Sequence, residues 1–176
     1  MSERKMLDIE ASGGCQCGAV RYRATAFLDS SHICHCRICQ KAVGNFFAAL
    51  IGIPRDSFEW TRGQPTLFKS SDPVTRGFCG KCGKCGKCGK CGKCGTPLLY
   101  DYSDSKHLNV TTGSLDEPAL FPPQMQFGKE ARMPWFGELC SLADEGATEE
   151  TMTDSVPAIK ASNHQHPDHD TGVWPR

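Results

Sequence analysis

Twelve cysteines lie in 176 residues, and all but one fall in tight clusters. The first cluster is Cys15-Gln16-Cys17 within GGCQCGAVRY, where the flanking glycines let the backbone turn so that both sulfurs face one ion. The second, Cys34-His35-Cys36-Arg37-Ile38-Cys39, is a C-x-C-x-x-C run that presents three thiolates to one metal. The third is a C-x-x-C knuckle, present as Cys79 and Cys82 and again in every repeat through Cys91 and Cys94. Zinc takes sulfur and nitrogen ligands tetrahedrally; a structural site fills all four positions and a catalytic one leaves one open. A C-x-C pair joined to a distant C-x-x-C pair makes a closed, structural four-thiolate site. The middle cluster supplies three sulfurs and no obvious fourth, leaving a position for water or for a substrate thiol or oxygen.

Other chemistry is harder to assemble. His35 could close the second site in a zinc-ribbon arrangement, as could a repeat cysteine. Alternation along an extended segment, however, turns His35 away from the ion shared by Cys34 and Cys36, placing it behind the ligands or at the surface. Three crowded thiolates favour metal over a lone activated Cys and His pair. No paired carboxylates and no His and Asp arrangement stand ready to move protons, although Arg37, Gln40 and Lys41 follow the cluster closely enough to orient an anionic ligand. Cys140, between leucines, reads as a small buried hydrophobe. Trp135, in MPWF, reads as core.

The elements that must carry these residues are short strands. Alternation over Ala19 to Ala24 and the apolar run from Phe46 to Ile53 predict strands. So do Ser57 to Trp60, Thr66 to Lys69, Thr75 to Cys79, Pro97 to Tyr102 and His107 to Thr112, each bounded by Gly, Pro, Asp or Ser. Helical periodicity is scarce beyond a turn after Cys36. The fold class expected is all-β. With 39% hydrophobic residues the chain supports one domain, expected over 1–142. Residues 143–176 are polar and are expected to be disordered or loosely docked. That tail holds a histidine-bearing stretch, His164 to His169, read as solvated in preference to metal-binding.

Twenty basic and twenty acidic residues cancel, which argues against nucleic acid or an anionic membrane as partner. No stretch approaches the ~20 apolar residues of a membrane span, and the first residues lack the apolar region of a signal peptide. The expected compartment is the cytoplasm, where clustered cysteines serve as metal or redox groups in preference to disulfides.

Gly80 to Gly95 repeats Gly-Lys-Cys with a period of three, on which no packed fold is built. Deleting Gly80 to Cys91 would leave a plain C-x-x-C knuckle between two strands, so the repeat reads as an expansion of one knuckle. Two registers remain for the structural site: Cys79 and Cys82, slightly favoured, or Cys91 and Cys94. Unused thiols would be available to soft metals or oxidation.

In order, GGCQCGAVRY, CHCRICQKAVG, RGFCGKCG with TPL, VTTGSLDEP and MPWF resemble the glutathione-dependent formaldehyde-activating enzyme family, which also includes centromere protein V. The resemblance covers roughly residues 13–136. It implies a small zinc-stapled domain of several coiled antiparallel β-sheets, called Mss4-like, with two zinc ions. The structural zinc would take Cys15, Cys17 and the knuckle pair, and the catalytic zinc Cys34, Cys36 and Cys39. It also implies a carbon-sulfur lyase activity, in which formaldehyde and glutathione condense to S-hydroxymethylglutathione. The competing reading is a non-catalytic zinc module that carries a thiol ligand or binds a protein partner.

Overall fold

The apolar run that begins at Phe46 becomes a strand only at Ala48, because Asn45 caps the Phe46 amide and the two phenyl rings turn aside onto each other, 5.1 Å apart. The fold is that of a computed structural model, described over residues 4–80 and 94–173. Among the described residues the strands are β1 (Met6–Leu7), β2 (Ala11–Gly14), β3 (Arg21–Ala24), β4 (Phe27–Leu28), β5 (His32–Cys34), β6 (Ala48–Pro54), β7 (Phe58–Arg62), β8 (Thr66–Ser71), β9 (Val74–Phe78), β10 (Pro97–Tyr102), β11 (His107–Thr111) and β12 (Met125–Phe127). Helix α1 (Arg37–Val43) follows the middle cysteines, and α2 (Thr148–Thr151) and α3 (Val156–Ser162) lie in the C-terminal segment.

The strands form a seven-stranded sheet in the order β12-β5-β6-β11-β10-β9-β8, a three-stranded sheet β2-β3-β7 and the pair β1-β4. This is a small β-rich domain, as composition and punctuation lead one to expect. All pairings are antiparallel except β12 with β5. A parallel neighbour needs a long connection, and here most of the domain intervenes. The resemblance implies antiparallel sheets, and the β12–β5 edge is the exception among the described pairings.

Tyr22, Phe27, Ile51, Ile53, Leu98, Val110, Leu115 and Phe121 are buried in one core. Strand β6, buried at Ala48 and from Leu50 through Ile53, reads as a near-continuous apolar run because neighbours cover both its faces. The Tyr22 hydroxyl meets Ser114 Oγ at 2.7 Å. Gly13 allows that approach, since a Cβ there would stand 2.5 Å from the Tyr22 oxygen and from the Ser114 carbonyl.

Candidate metal centres

Cys15 leaves β2 in a tight turn whose amides close on it. Cys15 N–H donates to Val20 O at 2.9 Å, Gly18 N–H to Cys15 O at 2.9 Å, and Val20 N–H to Cys15 Sγ at 3.3 Å. In the seven-stranded sheet, Cys79 directly follows β9 and Cys94 lies just before β10. Cys79 N–H donates to Thr96 O at 3.0 Å and Gly95 N–H to Cys79 O at 3.1 Å, so the two cysteines face each other across the hairpin stem. The Gln16 amide donates to Thr96 Oγ1 at 3.0 Å and joins the halves. The sulfurs of Cys15, Cys17, Cys79 and Cys94 lie within 4.8 Å of one another, with Cys15 to Cys17 at 3.5 Å and Cys17 to Cys79 at 3.7 Å.

Four sulfurs placed tetrahedrally ~2.3 Å from one ion stand about 3.8 Å apart, so this donor set fits zinc. Its electrostatics agree. Burial, with the neighbouring thiols, pushes Cys15 up to about 11 and Cys79 well above the thiol range. Burial also pushes Cys94 up, but hydrogen bonds from Thr96 and Cys17 outweigh it and hold Cys94 at about 6. Four such thiols ionise together only around a cation. The cluster takes one cysteine from each register expected of the repeat, Cys79 and Cys94; Cys82 and Cys91 lie outside the described residues.

The second cluster is built where β5 passes into α1. Cys34 ends the strand, Cys36 caps the helix by accepting the Cys39 amide at 3.4 Å, and Cys39 sits in the first turn. Their sulfurs also lie within 4.8 Å of one another, and no fourth Cys, His, Asp or Glu joins them among the described residues. Arg76 of β9 donates from Nη2 to Cys39 Sγ at 3.4 Å and from Nε to Ser70 Oγ at 3.2 Å, and its guanidinium lies 5.0 Å over the Tyr100 ring. The hydrogen bond from Cys34, and that from Arg76, draw Cys39 down to about 5, whereas the same Cys34–Cys39 contact and burial hold Cys34 far above its ordinary range. A cavity of about 300 Å³ opens over the three sulfurs, bounded by His32, Val74, Arg76, Tyr100, Asn109 and Phe127. No disulfide joins any of the eight described cysteines.

Several expected placements change. His35 turns away from the sulfurs but is fully buried, its Nε2 2.9 Å from Gln126 Oε1 and its ring 4.6 Å from that of Phe136. Gln40 is not a ligand-facing group. It is buried, donating from Nε2 to His35 O at 2.7 Å and to Ala131 O at 2.9 Å, and so straps the 128–131 turn beneath the cluster. Trp135, expected in the core, is 43% exposed and meets the Phe46 ring edge to face at 5.1 Å, and Cys140 is exposed because the chain there runs over the surface. Arg76 and Tyr100 were missed, since a lone arginine and tyrosine within strands carry no spacing signal.

The C-terminal segment reaches the four-cysteine cluster. The His166 amide donates to Gln16 O at 2.6 Å, and the His166 ring is buried near Arg62 and Thr171. Buried Arg21 pairs with Asp116 at 2.5 Å and Asp170 at 2.6 Å.

The structure is thus a β-rich domain with one four-thiol and one three-thiol cluster, each of which could hold a metal ion. A model of the family described as glutathione-dependent formaldehyde-activating enzyme matches residues 10–130, and the chain belongs to that family. A crystal structure of a Rhodobacter sphaeroides protein is similar to 65% of this chain and 98% of its own, at 18% identity and a TM-score of 0.48. No curated protein matches the chain. No helix among the described residues is long and apolar enough to cross a membrane.

Proposed function

We propose that the protein is a zinc-dependent carbon-sulfur lyase of the S-hydroxymethylglutathione synthase type, acting in the cytoplasm on a glutathione or other thiol adduct of formaldehyde or a related small aldehyde. The observation that carries this reading is the inequality of the two clusters: four converging thiols at one, and at the other three thiols beneath an open cavity. Cys15, Cys17, Cys79 and Cys94 would hold a structural zinc, and Cys34, Cys36 and Cys39 a second one, in a domain of Mss4-like type. When bound by three thiolates, zinc supplies a fourth position at which a further sulfur is kept as thiolate at neutral pH.

The chain's own residues supply the remainder. Arg76 donates a hydrogen bond to Cys39 and offsets part of the negative charge that three thiolates and a bound thiol accumulate. Tyr100 lines the same cavity; burial and the neighbouring thiolates raise its pKa, so its phenol keeps its proton and can donate to the carbonyl oxygen of the aldehyde, which becomes the hydroxyl of the adduct. Phe127 and Val74 limit water on the remaining sides.

The test measures product from formaldehyde and glutathione against the spontaneous reaction, together with zinc per chain. About two zinc ions and a rate above background are expected. Cys36→Ser should lose about one zinc and fall to the spontaneous rate. Equal rates for parent and variant would remove the enzymatic reading and leave a module that carries a thiol without turnover.

A further inference from the structure

The cavity over the three cysteines continues past Arg76 and Tyr100 into a second one of about 610 Å³, with Ile38, Leu50, Ser70, Arg76 and Tyr100 common to both. A hydroxymethyl group adds one carbon and one oxygen to a thiol and occupies almost none of this volume, which lies in the range that holds ligands of drug size. The walls are apolar, from Val43, Leu99 and Phe78. At the edge, Ile38 and Phe68 are 63% and 60% exposed, and large apolar side chains left open around a concavity mark a binding surface.

Charge narrows the occupant further. Among the described residues, every charged one lining the second cavity is basic: Arg37, Lys41 and Arg76. Arg76 is engaged with Cys39, Ser70 and Tyr100, and Arg37 with Gln40 Oε1 at 2.8 Å, whereas Lys41 is exposed on the helix face that borders the cavity. No described residue lining either cavity is acidic. Charge alone does not exclude glutathione, which carries two carboxylates beside its ammonium group, but its γ-glutamyl and glycyl arms are polar throughout, whereas Val43, Leu99 and Phe78 give the chamber apolar walls that suit the other half of the adduct.

We propose that this chamber takes the carbonyl-derived part of the adduct, and that this part is an apolar group of about ring size bearing a carboxylate. The physiological substrates are then thiol adducts of anionic aryl or branched aldehydes, with formaldehyde a minimal member of the series. This rests on the reading that the adduct's sulfur sits at Cys34, Cys36 and Cys39. In the condensation the sulfur bonds to the carbonyl carbon, the π pair moves to oxygen, and that oxygen takes up one proton for the one the thiol releases. The lyase direction breaks the same carbon-sulfur bond, and no electron is transferred to or from a third reagent.

Two stable thioethers separate the possibilities by calorimetry on the zinc-loaded full chain: S-methylglutathione and S-(4-carboxybenzyl)glutathione. The second is expected to bind about tenfold tighter or more, the discrimination a well-fitted apolar pocket gives. Phe68→Ser and Lys41→Gln, both at exposed positions, should each cut that ratio severalfold with zinc content as in the parent. Equal affinity for the two thioethers overturns the inference, and so does a preference that neither substitution diminishes. Turnover of formaldehyde with glutathione, measured on the same preparation, reports separately on the lyase reading, so failure of one is distinguishable from failure of the other.

Discussion

Arg76 reaches Cys39 of α1 from β9 of the large sheet, and its contribution is a charge-assisted hydrogen bond to a thiolate. Such bonds are worth roughly 1.5–3 kcal/mol. Arg76→Met should therefore weaken zinc at the three-cysteine cluster by about tenfold to a hundredfold in competition with a chelator. Zinc at Cys15, Cys17, Cys79 and Cys94 should be retained as in the parent. The second residue-scale prediction concerns Asp116. Burial pushes its carboxyl up, but hydrogen bonds from Arg21 and Ser12 outweigh burial and hold it below the ordinary carboxylate range. A folded pKa below the unfolded one contributes stability that is present above the unfolded value, near 4, and is lost as pH falls through the folded value. Breaking a fully buried pair costs about 3–5 kcal/mol. Asp170, half exposed, still faces Arg21, so Asp116→Asn should cost about 2 kcal/mol at pH 7 after allowance for screening. The expected fall in melting midpoint is roughly 4–8 °C, and the gap between parent and variant should close as pH drops below about 4.

The cysteine clusters depend on elements too short to stand alone. Strand β5 has three residues, α1 seven and β12 three, and each is held by its neighbours. The turn after β12 is the tightest of these supports. Gly128 has φ of 71° in the left-handed region, and a Cβ there would lie 2.5 Å from the Cys36 amide nitrogen. Gly128→Ala should cost about 1–3 kcal/mol and move Cys36, so that chelator challenge strips the three-cysteine zinc faster than the four-cysteine zinc. His107–Thr111 was legible because apolar and polar residues alternate between turn formers, and Pro97–Tyr102 as a short leucine- and tyrosine-rich run bounded in the same way. Ala11–Gly14, His32–Cys34 and Met125–Phe127 were not. Two are only three residues long, the other is made of small residues, and all are specified by the partner strand that pairs with them. The same holds for Gln40, which has the look of a ligand-facing amide until the 128–131 turn is seen to cover it.

Across the whole molecule, Cys79 and Cys94 stand opposite each other at the stem of the β9–β10 hairpin, with the Gly-Lys-Cys repeat between them in sequence. Deletion of Gly80 to Cys91 leaves a single C-x-x-C at that stem. The shortened chain should keep about two zinc ions and a melting midpoint close to the parent's, while loss of the Cys15-cluster zinc would mean that a repeat cysteine is a ligand. By itself the sequence determined which side chains could bind metal and how many each cluster offers, because C-x-C and C-x-x-C spacings act within a few residues. It also determined a β-rich domain, through alternation and punctuation. Only the tertiary structure decided that Cys79 meets Cys94, that Arg76 and Tyr100 border the three-cysteine site, and that Arg21 closes on Asp116 and Asp170. Those meetings follow from strand order and register. Register is set by the packing of one sheet face against the rest of the domain, and no local spacing encodes it.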